Sequence, residues 1–299
     1  MDNDPADIKS ANSINNEHIL IPIANMESIE KLLEFSIFIK EKKAANPISI
    51  LSVVSNNDEA EINILKARKK LEEFVKQASA SETKINVITT IDHNPASGIS
   101  RISREIMADI IVLGWPKHAG LLDKLIGEKV DSILNNTNKT TFICHIEKPL
   151  VWHKRIAVMV PPLAEHENGF DLWFIKMAKL AQELSVPILF CSNETTKNYA
   201  FKLVKKARLT ASIVPYLFED WDDFFTISKV IKPNDLLVLV CARKGAASYM
   251  NLLEHLPSKL EKHFEKNSRI VIYPQQFSQR FSNVRYNNIT PEPTRYRKF

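Results

Sequence analysis

Six short apolar segments of the chain form three similar pairs, and this repetition limits the fold more than any other feature. The members of each pair are strand-like and lie about 130 positions apart, a period that corresponds to a whole domain rather than to a solenoid repeat. The pairs are HILIPI (18–23) with RIAVMV (155–160), DIIVLG (109–114) with DLLVLV (235–240), and TFICHI (141–146) with RIVIYP (269–274). We therefore predict a duplicated domain.

Strand-like and helix-like patterns alternate within the first half. Five apolar runs begin near positions 18, 48, 85, 109 and 141, and most are apolar at nearly every position. Between them, apolar residues recur three and four apart, which indicates helices around 29–39, 64–78, 99–106 and 121–134. Strands that are apolar on both faces are typical of a parallel sheet covered by helices. The predicted fold class is α/β, with a five-stranded parallel sheet in each half.

The second half repeats this pattern, although less regularly. Its predicted elements are a helix through Trp173 and Leu184, the strands VPILFCS and ASIVPYL, and later helices in WDDFFTISKVI and MNLLEHLPSKLEKHF. We predict a polar N-terminal segment (1–17), a first domain (18–150), a second domain (151–275) and a basic C-terminal tail (276–299).

Composition excludes several classes of protein. Apolar residues make up 44% of the chain and charged residues 25%, which is normal for a soluble globular protein. The net charge of +5 is spread along the chain, so we expect no nucleic-acid partner. No apolar run approaches the roughly 20 residues that cross a bilayer, so we expect no direct membrane insertion. The three cysteines lie in apolar strand-like runs, which predicts buried reduced thiols and a cytoplasmic location.

A loop that could hold phosphate follows the fourth predicted strand. The strand ends at Gly114 and Trp115, and a helical pattern begins after Gly127. Glycine lets the backbone approach an anion, and the following helix offers free N–H groups. In a doubly wound sheet, ligands bind beyond the carboxyl ends of the strands, which is where this loop lies.

At this loop the sequence resembles the universal stress protein family. Nucleotide-binding members carry Gly, two residues, Gly, nine residues and then Gly-Ser or Gly-Thr, together with an Asp after the first strand. Gly114 and Gly127 match the first and third glycines, whereas Lys117 replaces the second and Glu128 replaces the hydroxyl residue. Ala24 stands at the Asp position. The resemblance implies two tandem three-layer sandwiches, related by a pseudo-two-fold and paired through TFICHI and RIVIYP.

These departures predict that nucleotide binding in the family's usual manner is lost. The carboxylate of Glu128 repels an anion, and the Lys117 side chain occupies space that glycine leaves free, although its ammonium group can contact a phosphate. We expect no cofactor, with ATP or another adenine nucleotide as the alternative. Further candidate ligand-binding residues are Asn25 after the first strand, Ser97 and Gly98 before the third helix, and Arg243 and Lys244 in the second half. The simpler interpretations are a helix cap formed by Ser97 or Ser100 and a solvated basic turn.

The resemblance narrows further to the cytoplasmic C-terminal region of bacterial cation/proton antiporters. It is carried by ILIPIANMESIEKLLEFSIFIK, SILSVV, NPASGISRI and RIAVMVPPLAEHENGFDLWF. This implies a non-catalytic regulatory module of a Na+/H+-type antiporter, with the membrane domain in the same polypeptide if the chain is a fragment. The alternatives are a freestanding stress protein that binds ATP or another adenine nucleotide such as a cyclic dinucleotide, and a ligand-free dimerisation scaffold. A homodimer is compatible with each.

No motif indicates catalysis or a metal site. The eight histidines are scattered and lack metal-ligand spacing, and neither a GxSxG elbow nor a P-loop is present. We therefore predict no catalytic residues and no metal ligands.

Overall fold

The computed structural model describes residues 16–78, 83–116 and 128–276. Its strands are β1 (Ile19–Pro22), β2 (Ile48–Ser55), β3 (Ile85–Asp92), β4 (Ile110–Gly114), β5 (Thr140–His145), β6 (Arg155–Met159), β7 (Ile188–Ser192), β8 (Ile213–Leu217), β9 (Asp235–Val240) and β10 (Arg269–Tyr273). Its helices are α1 (Ile29–Ile39), α2 (Ala60–Ala78), α3 (Pro95–Glu105), α4 (Glu128–Asn136), α5 (Phe170–Leu184), α6 (Glu194–Lys206) and α7 (Leu256–His263).

The ten strands form one continuous sheet in the order β3-β2-β1-β4-β5-β10-β9-β6-β7-β8. Pairing is parallel within each half, and the halves join where β5 and β10 run antiparallel. Ile143 lies opposite Val271 at the centre of this junction. The predicted α/β fold and the predicted pairing through TFICHI and RIVIYP are both confirmed.

The core lies in two apolar layers, one on each face of the sheet. Successive residues of β1 alternate between them, so that Ile19 and Ile21 contribute to one layer and Leu20 to the other. The first layer packs under α1, α5 and α6, and the second under α3, α4 and α7. This is the three-layer arrangement that the resemblance implies.

Two helices predicted in the second half differ from the structure. WDDFFTISKVI forms only a 3-10 helix (Phe224–Lys229). Its buried residues Trp221, Phe224 and Ile227 recur every third position, which is the 3-10 period rather than the α-helical one.

MNLLEHLPSKLEKHF likewise divides into a 3-10 turn (Asn251–Glu254) and α7, because Pro257 lies in the first turn of α7 and cannot continue a preceding helix. The sequence analysis also did not single out α6 as a helix.

All three cysteines are free and buried, as predicted. Burial raises the pKa of the Cys191 thiol to about 12. None of the helices in the described parts of the chain is both long and apolar enough to span a membrane.

Candidate functional site

The order in which strands are added to the sheet reverses between β1 and β4. A cleft opens beside the carboxyl end of β1. The cleft has a volume of about 290 Å³ and is bounded by the residues after β1, by Ser52 of β2 and by one side of α2. Both Ala24 and Asn25, in the loop after β1, line it. The cleft lies at the carboxyl edge of the sheet, where doubly wound folds bind ligands, but on the β2 side of β1 rather than at the switch point between β1 and β4.

Two lysines of α2 give the cleft a positive wall. Asn63, Lys66, Ala67 and Lys70 recur three and four apart, so they form one stripe along the helix that faces the cleft. The neighbouring cations Arg68 and Lys69 pair with Glu72 and Glu73 on the same helix. Among the described residues, neither Lys66 nor Lys70 has an ion-pair partner, so their charge remains available to an anion.

This lysine stripe was not predicted from the sequence. The sequence signal is the run LKARKKLEE (65–73). In it, Arg68 and Lys69 each have a glutamate four residues further on, whereas Lys66 and Lys70 do not. The pattern therefore separates paired from unpaired cations, but which surface the unpaired ones face depends on how α2 packs on the sheet.

Asn25 is engaged locally. Its side-chain oxygen accepts a hydrogen bond from the Glu27 backbone N–H at 3.1 Å, and its side-chain nitrogen donates to the Glu27 carboxylate at 3.1 Å. These contacts cap the 3-10 turn (Met26–Ser28) that precedes α1. Asn25 thus holds the rim of the cleft in place while remaining half-buried.

Gly114 and Trp115 are not among the residues that line this cleft. A Cβ atom on Gly114 would lie 3.4 Å from Ser28 Oγ, so the glycine lets β4 pack closely against the entry to α1. The Trp115 ring lies 5.0 Å from the Arg269 guanidinium and meets His145 edge-on at 6.3 Å. Trp115 therefore contacts the junction between the halves.

Ser97 and Gly98 belong to the first turn of α3 and have structural partners. The helix cap is Asn94, whose side chain accepts from the Ser97 backbone N–H at 2.9 Å. Ser100 instead donates to the Asn136 carbonyl at 2.6 Å. A Cβ on Gly98 would lie 2.8 Å from Val53 Cγ1, so only glycine lets α3 approach β2 this closely.

Lys117 and Gly127 lie outside the described residues. Glu128 is the first residue of α4, and its side chain is likewise not described. The predicted roles of these three residues in anion binding stay predictions.

In the second half, the loop after β6 is bound to the loop after β9. The segment after β6 carries Glu167, which is 7% exposed and accepts two hydrogen bonds on one carboxylate oxygen. Both come from Ser248 in the loop after β9, at 2.9 Å from its backbone N–H and 2.8 Å from its hydroxyl. The carboxylate thus takes the paired donors that an anionic ligand would need.

The same loop is fixed at two further points. Glu165 accepts a hydrogen bond from Thr196 in the first turn of α6 at 2.6 Å. Gly169 donates from its backbone to the Gln275 carbonyl at 2.9 Å, and a Cβ on Gly169 would lie 2.3 Å from the Gln275 nitrogen. These contacts close the second-half loop against α6 and against the chain that follows β10.

Arg243 and Lys244 also have internal partners. The Arg243 guanidinium donates to the carbonyls of Lys139 at 2.8 Å and of Pro274, so it ties the second half to β5. Burial lowers the pKa of Arg243 to about 10, while nearby Tyr273 and Glu167 raise it. Lys244 pairs with Glu254 at 3.0 Å and is otherwise exposed.

Metal ligands are not clustered in this structure. Across residues 16–78, 83–116 and 128–276, no three His, Cys, Asp or Glu side chains are grouped so as to hold a metal ion.

Comparisons with known proteins agree with this architecture. Residues 15–145 match the model of the Universal stress protein family. The Na(+)/H(+) antiporter NhaS5 of Synechocystis sp. is 30% identical over 122 residues, which are 38% of this chain and only 17% of the antiporter. The predicted resemblance to stress proteins and to an antiporter is therefore confirmed, and the chain spans a small part of that relative.

Two solved structures share the fold over most of the chain. A universal stress protein from Archaeoglobus fulgidus has a TM-score of 0.58 at 13% identity and covers 88% of this chain and 97% of its own. The cytoplasmic domain of a prokaryotic cation chloride cotransporter has a TM-score of 0.53 at 12% identity, with 90% of this chain and 100% of its own covered. At such identities the likeness shows the fold alone.

Proposed function

We propose that this chain is a non-catalytic, cytoplasmic regulatory module of a cation/proton antiporter, with the transporter as its partner in the same polypeptide. The observation that carries the proposal is the 30% identity to the antiporter NhaS5 over 122 residues. The fold that it shares with a cotransporter cytoplasmic domain adds support, because that fold occurs there attached to a transport function.

The first-half cleft is the sensing site in this proposal. Its wall presents Lys66 and Lys70 beside Ser52 and Asn63, which together suit a small anion or the polar part of a nucleotide. A volume of about 290 Å³ lies at the lower end for ligand sites, so a compact ligand fits better than an extended one. Binding there would bias the transporter through the linked sheet.

A genetic deletion tests the proposal. Na+/H+ exchange is measured in everted membrane vesicles from cells with the native gene and from cells lacking residues 18–275. We expect the rate of exchange, or its dependence on pH, to change on deletion. Exchange that is identical in rate and pH dependence would contradict a regulatory role.

Charge-reversal variants test the sensing site. Lys66→Glu with Lys70→Glu should reproduce the regulatory defect of the deletion, because it reverses the charge of the cleft wall. Lys69→Glu is the matched control, since Lys69 is on the same helix but does not line the cleft. An equal defect in the control would show that general charge on α2, and not the cleft, is responsible.

A second candidate function is a freestanding stress-type protein that binds an adenine nucleotide. The first-half cleft favours it, because the cleft lies at the carboxyl edge of the sheet, where doubly wound folds bind nucleotides. Thermal unfolding with ATP and with a cyclic dinucleotide tests this candidate, since saturation at about 100 times the dissociation constant adds roughly 2.7 kcal/mol to the stability of the folded state.

A further inference from the structure

An exposed apolar turn lies in the linker between the halves. The 3-10 turn (Leu150–Trp152) is anchored by buried Leu150, while Val151 is 59% exposed and Trp152 62% exposed. By contrast, Trp173 and Trp221 are at most 5% exposed. Two adjacent large apolar side chains therefore project into solvent at a fixed position.

Lysines lie in the linker that carries this turn and in the segments to which the linker is bound. A cleft of about 330 Å³ beside it is lined by Lys232, Lys262 and Lys266, with Glu265 as its one acidic side chain. The linker is attached to a wall of this cleft at two points. Lys148 Nζ donates to the Pro233 carbonyl at 3.0 Å, and the Lys154 backbone N–H donates to the Asn234 carbonyl at 3.0 Å.

We propose that this surface docks on anionic lipid headgroups at the face of a membrane. We call it the linker patch, and it consists of Val151, Trp152, Lys154, Lys232, Lys262 and Lys266. All six residues are exposed. The proposal concerns the described surface only and does not depend on the assignment to an antiporter.

The composition of the linker patch favours lipid over a protein partner. Its cations are all lysines, which are depleted in protein–protein interfaces, where arginine is enriched. Lysines near an anionic membrane each contribute by charge alone, without a geometric partner. Tryptophan is enriched at the level of the headgroups, where its ring is buried and its N–H stays hydrated. A projecting apolar turn flanked by lysines matches both requirements.

The sheet topology places the linker patch at the edge where the first-half cleft opens. The linker joins the carboxyl end of β5 to the amino end of β6, and β10 runs antiparallel to β5. The carboxyl ends of β1 and β2, which border the cleft, therefore lie at this same edge. Docking would hold the cleft close to the membrane surface.

Vesicle binding tests the proposal with the full chain. Vesicles of equal parts phosphatidylglycerol and phosphatidylcholine should bind the chain at low salt, and pure phosphatidylcholine vesicles should not. Because the other tryptophans are buried or half-buried, a blue shift of the fluorescence should report Trp152. Replacing Trp152 with Phe should keep most of the binding and abolish the blue shift.

Charge variants measure the lysine contribution. Changing Lys232, Lys262 and Lys266 together to Ala should weaken binding by about 100-fold, at roughly fivefold for each lysine. The matched control changes Lys202, Lys205 and Lys206 to Ala, since these are exposed lysines of α6 outside the linker patch. Trp152→Ser should weaken binding, and Leu217→Ser, at an equally exposed position (62%) on β8, should not.

Three outcomes would overturn the proposal. The first is equal binding of the chain to both kinds of vesicle. The second is a loss of binding in the control variants as large as in the linker-patch variants. The third is that the chain binds no vesicles and instead binds a polyglutamate peptide through the same lysines. The last outcome would assign the linker patch to an acidic protein partner. Circular dichroism of each variant excludes unfolding as the cause of lost binding.

Discussion

The two halves place loops at the carboxyl ends of equivalent strands, yet they use them differently. The first half has a cleft between the loop after β1, β2 and α2, whereas the loop after β6 in the second half is bound to α6 and to the loop after β9. In the first half, Lys66 and Lys70 face a cleft without an ion-pair partner in the described structure. In the second half, Glu167 takes the donors of Ser248, and Arg243 binds backbone carbonyls. The difference shows that a duplicated fold can keep its architecture while the loops of one half bind one another and those of the other half border a cleft.

The amino ends of the same strands differ in a second way. His18 begins the first half, and its backbone N–H donates to Asp109 at 2.9 Å while its ring contacts Ser49 Oγ at 2.8 Å. The second half has Arg155 and Asp235 in these places, joined by two hydrogen bonds of 3.1 and 2.5 Å. One half thus carries a histidine whose pKa is lowered by burial, and the other an arginine paired with an aspartate.

Separating the halves should have the largest effect. Residues 1–150 expressed alone expose the edge of β5, which pairs with β10 in the full chain. We expect this fragment to dimerise or aggregate, as measured by size-exclusion chromatography with light scattering, while the full chain does not aggregate under the same conditions. A stable monomeric fragment would show that the junction is dispensable.

Removing the carboxylate that fills the second half should have the next largest effect. Glu167→Ala leaves two buried donors of Ser248 unsatisfied, so the free energy of unfolding in urea should fall by about 1–3 kcal/mol. Inorganic phosphate should restore part of that stability in the variant and none in the parent. Glu183→Ala is the control, because Glu183 pairs only at the surface with Lys42. A phosphate effect in the control would point to general salt stabilisation.

Restoring the family pattern in the first half should have a smaller effect. Lys117→Gly with Glu128→Ser removes a bulky side chain and a repelling carboxylate, so weak ATP binding should appear by calorimetry where the parent has none. Adding Ala24→Asp should strengthen it. If neither variant binds, the loop after β4 has become scaffold only, and the lysine stripe of α2 is the remaining anion site.

Lowering the pH should destabilise the folded state through His18, and we expect this to be the smallest of the four effects. Burial lowers the pKa of His18, opposed by the Ile106 carbonyl and Asp109 and reinforced by Lys40. A lowered pKa means that the folded state binds fewer protons, so the His18 contribution is complete above the ordinary pKa of 6.5 and is lost as pH falls below it. Thermal unfolding from pH 7.5 to 5 should show less loss of stability in His18→Gln than in the parent. An unchanged pH dependence would remove His18 as its source.

Most of the fold follows from local patterns. The central strands, such as β4, β9 and β10, are apolar at almost every position, so their burial on both faces, and hence the parallel sheet, could be predicted. The three-residue spacing of Trp221, Phe224 and Ile227 carried the evidence for a 3-10 helix, but it was interpreted as α-helical. The helix α6 was missed because its apolar stripe is weak, with only Thr196, Ala200 and Leu203 buried.

The candidate site could be predicted only in part. Ala24 and Asn25 follow β1 directly, so sheet topology alone brings them to the cleft. Glu167 and Ser248 lie on separate loops far apart in the chain, and no spacing rule indicates that they meet. Arg243 in a basic turn looks solvated in the sequence, because its carbonyl partners come from Lys139 and Pro274 at the junction.

The antiparallel junction of β5 with β10 also limits how the molecule can respond to a ligand. It places the carboxyl ends of the strands of the two halves at opposite edges of the sheet. At the edge of the second half, Glu167 accepts hydrogen bonds from Ser248 and so joins two loops. A duplicated receptor with two equal sites can give a sigmoidal dose response through coupling between them. With the first-half cleft as the one proposed sensing site, we expect ligand occupancy to follow a simple hyperbola with a Hill coefficient of about 1.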